Sequence, residues 1–498
     1  MAGWWAGRVH HPAKTNPAGR PAPRPVQPAV EWMHPSITDA LQEAGGRGAR
    51  RRSGEDWRVE PRAGARPDQK EVQQPAALDW EAWAALDTQI RAGWMQGRTE
   101  ALEPQIRKDP KGNLLFLPRP YITPNGSPPA APAATKNDLF REMYNWDTYF
   151  INRGLLAHNL PEPVRDHILN YLFMIDRFGY MPNGNRAPLS TRSQIPIFPD
   201  SICRYFQATG DRELLAAAYP RLRREFSEYW LSPPHQTAIG LSTNIDPADP
   251  HLPPELSAEA EALDWTPIYG GDIRRCVPLI TNCALVSYAA ALADMAQTLG
   301  DAAGAEAMRR EAGARAKRIR DLQWDGARGV FCEYDAVAGR QLPYVSDSAF
   351  WALWAGVATA EQAAESVRSL RALRAPWGIT ATDRTYPDPH RPGLLAAGSL
   401  QWMYPAGWPP SQWIACEGLD RYGYHADAER IAASFLQLVL AIHGRTGRLW
   451  EKYNVVEGSL ELPNARYGIL PMAGWTAACV AVLGRRLRKG AATNQARW

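Results

Sequence analysis

Residues 282–299 read NCALVSYAAALADMAQTL and carry the clearest structural pattern in the chain. Their large apolar side chains recur at steps of 3, 4, 3 and 4 positions, at Leu285, Tyr288, Leu292, Met295 and Leu299. This spacing places all five on one face of an α-helix. The pattern therefore predicts an amphipathic helix that packs against a core.

The same periodicity recurs along most of the chain. It predicts an early helix just after Leu78 and further helices over 162–176, 212–230, 305–320, 346–356, 360–372, 411–422, 426–443 and 472–486. No useful run of alternating apolar and polar residues indicates a strand. About a dozen helices in one unit predict an all-α fold of helical hairpins arranged in a ring, with functional residues on long loops at one end.

Composition and charge exclude some classes of function. The chain has 498 residues, of which 45% are hydrophobic and 22% charged, as in a globular protein. Twenty tryptophans favour a ligand surface rich in aromatic rings. Residues 1–70 hold 12 Lys and Arg against 7 Asp and Glu, whereas the rest of the chain holds 44 against 45. Because the main part is nearly neutral, we expect no nucleic-acid partner.

Three segments differ in composition. Residues 1–75 are rich in Pro, Arg, Gly and Ala and are predicted to be disordered. Residues 76–487 are predicted to form one catalytic domain, and 488–498 a frayed basic tail. The six cysteines show no metal-ligand spacing, which favours free buried thiols in a reducing compartment. With neither an apolar signal segment nor a membrane-spanning run, we expect a cytoplasmic protein without a membrane partner.

The segment 401–413 reads QWMYPAGWPPSQW, with three tryptophans, one tyrosine and three prolines. Prolines remove backbone donors and restrict φ, so neither a regular helix nor a strand is expected over the whole segment. We predict a rigid aromatic loop that leads into a helix and offers flat rings to sugar faces. The alternative is a loop anchored in the core by its tryptophans.

Four further loop-like segments combine aromatic, acidic, amide and arginine side chains: 139–150, 182–196, 259–272 and 447–454. Sugar hydroxyls need such paired donors and acceptors. Hydrolysis of a glycosidic bond usually needs a protonated carboxyl as acid and an ionised one as base. Asp264 lies between Leu263 and Trp265, and Glu451 follows Trp450, so both have neighbours that could desolvate them. A solvated surface carboxylate is the alternative for each.

Together these segments resemble the trehalase family of inverting glycoside hydrolases over roughly 110–480. NDLFREMYNWDTY at 137–149 and QWMYPAGWPP at 401–410 are similar to its two signatures, and PNGNR, RSQ and GRLWEKYNV occur between and after them. The resemblance implies an (α/α)6 toroid with the site at one end and hydrolysis with inversion. It also implies no metal or other cofactor and a carboxyl separation of about 6.5–9.5 Å.

The resemblance also implies roles for individual residues. It makes Asp264 the general acid and Glu451 the general base that activates water. Its implied sugar-binding residues are Trp146, Asp147, Asn183, Arg192, Ser193, Gln194, Glu255, Trp408 and Glu461. If Asp264 and Glu451 do not face a common pocket, the acid becomes Glu261, Glu259 or Asp272.

The chain departs from the family pattern at several positions. Leu139 stands where the family has a sugar-binding arginine, Met403 where it has an aspartate, and no arginine precedes Glu255. The segment before Asp264 lacks the family's Ser-Gly pair. Three functions stay open: hydrolysis of α,α-trehalose, hydrolysis of another small α-glycoside such as a glucosyl- or mannosylglycerate, and sugar binding without catalysis.

Overall fold

The structure, a computed structural model, describes residues 77–96, 98–99, 113–125, 140–246, 253–390, 400–463, 469–472 and 474–495. All of them belong to one compact unit, Gly64–Trp498. The predicted disorder of 1–75 lies outside these residues. Leu139 and its two predecessors are also outside them.

Helices dominate the described residues. The α-helices are α1 Trp80–Gln96, α2 Asn145–Ala157, α3 Pro161–Phe178, α4 Phe198–Thr209, α5 Arg212–Glu225, α6 Pro254–Glu259, α7 Leu279–Leu299, α8 Ala302–Gln323, α9 Ala349–Trp354, α10 Ala360–Ser369, α11 Pro409–Arg421, α12 His425–Thr446 and α13 Gly474–Gln495. Shorter turns of 3-10 or π-helix cover Ala187–Leu189, Phe226–Trp230, Ile273–Arg275 and Leu370–Leu373.

The strands within the described ranges span two residues each. They are β1 Arg98–Thr99, β2 Tyr121–Ile122, β3 Cys276–Val277, β4 Trp324–Asp325, β5 Val330–Phe331, β6 Tyr334–Asp335, β7 Arg340–Gln341, β8 Arg374–Ala375, β9 Gly378–Ile379, β10 Ala406–Gly407 and β11 Tyr453–Asn454. All pair antiparallel, in the orders β1–β2, β3–β6–β7, β4–β5, β8–β9 and β10–β11. These short strands join loops to one another and do not form a β-sheet layer.

Six helices form a closed inner ring. Each of α2, α4, α7, α9, α11 and α13 packs on the next, and α13 packs on α2 to close the circle. Outer helices fill the spaces between them: α3 packs on α2 and α4, α5 on α4 and α7, and α12 on α11 and α13. The predicted (α/α)6 toroid is thus confirmed.

Local sequence explains where several helices begin, end and cross. Gly300 ends α7 with φ of +90°, and the Asp301 carboxylate then accepts the Gly304 N–H to start α8. Pro409 and Pro410 occupy the first turn of α11, where missing N–H groups cost nothing. A Cβ on Gly154 of α2 would lie 2.8 Å from Ala478 of α13, so glycine permits this close helix crossing.

Burial on the inner ring explains what periodicity missed. The first six residues of α2, Asn145–Phe150, are all buried, although the sequence placed 139–150 among loop-like segments. Helices α4 and α6 were also not predicted: α6 spans only six residues, whereas the one-sided apolar pattern of α4 went unrecognised. The first turns of α2, buried throughout, need no polar face, so their sequence lacks the one-sided pattern of a surface helix.

Helix α7 also corrects the expectation that no membrane-spanning run exists. Leu279–Leu299 is long and apolar enough to cross a membrane, but 83% of its most apolar window is buried inside the protein. Such burial is typical of a core helix in a large globular domain. The six cysteines are free, as predicted, and five of them are buried.

The segments that precede the inner helices meet at one end of the ring. We call these segments the leading loops; they cover described residues within 140–144, 179–197, 260–278, 324–348, 374–408 and 447–472. The contacts that join neighbouring loops or first turns are Gln194 to Trp146, Asn183 to Ala260, Glu333 to Leu279, Ser346 to Thr382 and Ala406 to Asn454. The candidate site lies where these loops converge.

Candidate functional site

Asp264, the predicted acid, is half-buried on the leading loop of α7. Its Oδ1 accepts the indole N–H of Trp402 at 3.1 Å, and its Oδ2 accepts the side-chain amide of Gln401 at 2.8 Å. Burial raises the pKa of Asp264, while the bonds from Trp402 and Gln401 and the charge of Lys452 partly offset the rise. The carboxyl group is therefore both desolvated and held in a defined orientation.

The backbone after Asp264 is held in an unusual conformation. Trp265 has φ of +61°, in the left-handed region, which costs a non-glycine residue on the order of 1–3 kcal/mol. Glu259 Oε2 accepts the Trp265 N–H at 3.0 Å, and the Trp265 carbonyl accepts the Gln401 N–H at 2.8 Å. His390 Nε2 lies 3.0 Å from the other Glu259 oxygen. These contacts hold the backbone next to Asp264 and so fix the direction in which its side chain points.

Glu451, the predicted base, is buried on the leading loop of α13, with 3% of its surface exposed. Its N–H donates to the Leu470 carbonyl at 3.0 Å, and its own carbonyl accepts the Trp475 indole N–H at 2.9 Å. Its Oε2 forms an ion pair of 3.1 Å with the Lys452 ammonium. The backbone of Glu451 is thus anchored on both sides, and its carboxylate is charge-compensated.

Lys452 and Gln401 connect the two carboxyl groups. The Lys452 ammonium contacts Glu451 and donates to Gln401 Oε1 at 2.9 Å, while Gln401 Nε2 donates to Asp264. Asp264 and Glu451 are therefore the ends of one continuous chain of polar contacts. These two residues, far apart in sequence, come together because both leading loops open at the same end of the ring.

Asp147 adds a third carboxyl group in the first turn of α2. It is 5% exposed. Burial raises its pKa to about 8, and the negative charges of Glu451 and Asp264 act in the same direction. At neutral pH its carboxyl is therefore largely protonated and can donate a hydrogen bond.

Tryptophans pack around these carboxyl groups. Trp402 and Trp408 are stacked, with ring centroids 3.8 Å apart and planes 9° apart, and Trp146 lies 5.8 Å from Trp402. Trp475 packs edge-on against Trp146 and Trp408. The Trp402 indole reaches Asp264, whereas Trp408 is 1% exposed and its indole N–H donates to the Gln401 carbonyl. The segment 401–408 is thus anchored in the core and also contacts the candidate acid.

The leading loop of α4 carries four predicted sugar-binding residues, all of them buried. Arg192 Nη1 pairs with Asp246 at 2.5 Å, and the Asn183 amide donates to the Ala260 carbonyl at 2.8 Å. Gln194 accepts the Trp146 N–H at 3.2 Å, which joins this loop to the first turn of α2. Ser193 Oγ donates to the Met181 carbonyl at 2.7 Å, a bond that supports the loop from inside.

Two predicted sugar-binding residues lie farther out. Glu255 is half-exposed and lies 3.5 Å from Arg274. Glu461 is exposed, and its carbonyl accepts the Asn454 amide at 2.8 Å. Arg141, the arginine nearest to Leu139 in sequence, is exposed. Neither glutamate belongs to the buried carboxyl cluster.

The alternative acids have other partners. Glu259 is engaged by Trp265 and His390, as described above. Glu261 is buried and accepts bonds from the Ser193 N–H at 3.1 Å and the Ile245 N–H at 2.9 Å. Asp272 pairs with Arg274 at 2.8 Å on the protein surface. None of these contacts links an alternative acid to Glu451, whereas Asp264 is linked to it through Gln401 and Lys452.

Met403 is buried beneath the protein surface. It is 1% exposed and belongs to a small apolar cluster with Leu400, Tyr386 and Tyr344. Its sulfur accepts the Tyr386 N–H at 3.2 Å. Apolar partners therefore surround the position at which this chain departs from the signature.

Sequence reasoning missed four site residues: Gln401, Trp402, Lys452 and Trp475. The first three were visible inside quoted motifs, and a lysine directly after a candidate base could have been recognised as its counter-ion. Trp475 lies well after Glu451 in sequence, in the first turn of α13, and no local pattern linked it to the site.

Comparisons with known proteins agree with this architecture. The family model described as Trehalase matches residues 54–256 and 270–484. A periplasmic trehalase of Pseudomonas aeruginosa is 28% identical over 421 residues, which cover 73% of this chain and 70% of the relative. A periplasmic trehalase of Escherichia coli is 26% identical over 410 residues, which cover 73% and 68%.

Solved structures show the same fold. Neutral trehalase Nth1 from Saccharomyces cerevisiae superposes with a TM-score of 0.62 at 25% identity, covering 74% of each chain. A GH63 mannosylglycerate hydrolase from Thermus thermophilus, in complex with glucose, gives 0.52 at 18% identity and covers 70% of this chain and 94% of that one.

Proposed function

Because the chain belongs to the trehalase family and is a glycosidase of α-glycosides, we propose that it hydrolyses α,α-trehalose to glucose with inversion. The observation that carries the proposal is the polar chain from Asp264 through Gln401 and Lys452 to Glu451. It joins a desolvated carboxyl, Asp264, to one that is paired with an ammonium, Glu451, and so supports an acid and base pair.

In this mechanism Asp264 carries a proton and gives it to the glycosidic oxygen as the bond to the anomeric carbon breaks. Glu451 takes a proton from a water molecule whose oxygen forms the new bond to that carbon. Asp264 ends as the anion and Glu451 as the neutral acid. Burial of Asp264 supports the first role, because desolvation favours the protonated form.

The remaining residues bind the sugars. Asp147, protonated near neutral pH, donates to a hydroxyl group, and Trp402 with Trp146 forms an apolar wall. Arg192, Asn183 and Gln194 supply polar groups on the opposite leading loop.

An anomer-resolved assay tests the proposal. Proton NMR of trehalose hydrolysis, followed before mutarotation, should give β- and α-glucose in equal initial amounts, because only the attacked glucosyl unit inverts. Two equivalents of α-glucose would contradict inversion. Glu451→Gln serves as the matched control and should release neither anomer at a measurable rate.

A second candidate function keeps the mechanism and changes the substrate to a glycosylated small acid, such as glucosyl- or mannosylglycerate. The departures at Leu139 and before Glu255 motivate a changed substrate, because they alter positions at which the family binds its sugars. Comparison of kcat/KM on trehalose and on these glycosides decides between them. Binding of the whole panel with no turnover would instead indicate a sugar-binding protein.

A further inference from the structure

Lys452 is fully buried, and its ammonium contacts three groups of the candidate site. It lies 3.1 Å from Glu451 Oε2, donates to Gln401 Oε1 at 2.9 Å and lies 4.7 Å from the centroid of the Trp408 ring. Removing an ammonium from water is costly unless anions and acceptors replace the water. Packing alone therefore does not explain a lysine at this position.

The ammonium also determines how the Gln401 amide is oriented. An ammonium can only donate, so the amide oxygen must face Lys452, and the amide NH₂ is turned toward Asp264 Oδ2. A cation on the oxygen polarises the amide and strengthens its N–H as a donor. The effect of Lys452 is thus transmitted through Gln401 to Asp264.

The proposed reaction moves negative charge from one end of this chain of contacts to the other. Before bond cleavage the anion is Glu451, and afterwards it is Asp264, whose proton has gone to the leaving sugar. The same cation therefore contacts the anion directly before the step, at Glu451, and is linked to it through Gln401 after the step, at Asp264.

We propose that Lys452 and Gln401 are positioning residues for catalysis, which act as a bridge that stabilises the anionic form of both Asp264 and Glu451. The inference rests on the proposed acid and base roles. Other titratable groups that face these carboxyls are Asp147 on α2 and Glu259 on the leading loop of α7, the latter paired with His390. They are unchanged in the variants below.

The first test is Lys452→Met, which replaces a buried ammonium by an apolar side chain of similar length. Loss of the cation should move both limbs of the pH profile of kcat/KM upward by about one pH unit, since a nearby opposite charge commonly lowers a carboxyl pKa by 1–3 units. At neutral pH kcat should fall by roughly 10²-fold, with KM changed much less. A lower rate with unmoved limbs would overturn the proposal.

The second variant, Gln401→Leu, tests the effect on Asp264 separately from the effect on Glu451. It cuts the link to Asp264 and leaves the Lys452–Glu451 ion pair in place. The alkaline limb, which reports the acid, should move upward, and the acidic limb, which reports the base, should stay. Movement of the acidic limb alone would contradict the bridge.

A matched control and a substrate-free readout complete the design. Lys317→Met removes an exposed lysine paired with Asp321, and its profile should equal that of the wild type. Infrared titration of the carboxyl groups, with each protein compared with its Asp264→Asn counterpart, follows Asp264 without any glycoside. Its titration midpoint should rise in both site variants, and an unmoved midpoint overturns the bridge. An enzyme that turns over no glycoside but shows this rise refutes the proposed function and retains the bridge.

Discussion

Carboxyl groups at two places in this toroid, Glu225 between helices and Asp264 with Glu451 at the end of the ring, are compensated in different ways. Glu225 accepts the Met181 N–H at 2.6 Å, the Tyr288 hydroxyl at 2.7 Å and the Tyr171 hydroxyl at 3.3 Å, all of them neutral donors. Asp264 and Glu451 instead share the Lys452 ammonium, one of them through Gln401. The first arrangement fixes helices α3, α5 and α7 together, whereas the second joins loops at the end of the ring.

The difference separates a structural carboxyl from candidate catalytic ones. Burial raises the pKa of Glu225 to about 7 and that of Asp147 to about 8, so a raised pKa occurs in both groups. What distinguishes the site is that several carboxyls influence one another and one cation, so that moving a proton at one changes the others. Perturbed titration alone would not have identified the site.

The largest expected effect is on activity. Asp264→Asn and Glu451→Gln should each lower kcat on the preferred glycoside by at least about 10²-fold, the low end for loss of a general acid or base. Glu225→Gln should keep kcat within about tenfold, because its carboxyl bonds to helix and loop groups outside the cluster. Glucose release under saturating substrate measures all three. Equal losses of kcat in all three variants would show that Glu225 does not differ from Asp264 and Glu451 in its role.

A smaller effect is expected on the pH dependence of stability. The pKa of Glu225 is raised from 4.5 to about 7 in the folded state. Between pH 4.5 and 7 the native protein therefore binds a proton on Glu225 that the unfolded chain does not bind. Its contribution to stability therefore falls as pH rises from about 4.5 to 7, by roughly 3 kcal/mol in total. The thermal midpoint of the wild type should fall relative to that of Glu225→Gln across this window. A constant difference between the two midpoints would argue against a buried, titrating Glu225.

The smallest effect is expected under the aromatic loop. Met403→Leu keeps volume and apolar character within the cluster with Leu400, Tyr386 and Tyr344, so it should cost less than about 1.5 kcal/mol. Calorimetry measures the change in thermal midpoint, and kcat and KM should stay those of the wild type. Met403→Asp restores the family residue but buries a charge, so it should destabilise far more. A changed KM in Met403→Leu would show that this position senses substrate.

Much of the fold was predictable because the outer helices carry one-sided apolar patterns and α7 a regular spacing of large apolar residues. Predicted boundaries differ from observed ones by a few residues, as for 282–299 against Leu279–Leu299. The first turns of α2 were missed because Asn145, Asp147 and Thr148 are polar yet buried. Their polar side chains interrupt the apolar spacing by which the other helices were recognised.

The candidate site was predictable in part. The motifs led to Asp264, Glu451, Asp147 and the loop at 182–196, whose roles stay predictions. The motifs did not indicate which polar groups would pair across loops. Local sequence carries no information on a contact such as Lys452 with Gln401, 51 residues apart, because it exists only once two leading loops converge.

The sequence by itself therefore determined the class of fold, the family and the carboxyl candidates, since helical periodicity and short motifs are local properties. Only the tertiary structure decided which groups are desolvated, which carboxyls share a counter-ion and which tryptophan reaches Asp264. Those outcomes depend on burial and on distances of about 3 Å between segments far apart in the chain. Local sequence does not give them, and electrostatic interactions weaken with both separation and exposure to water.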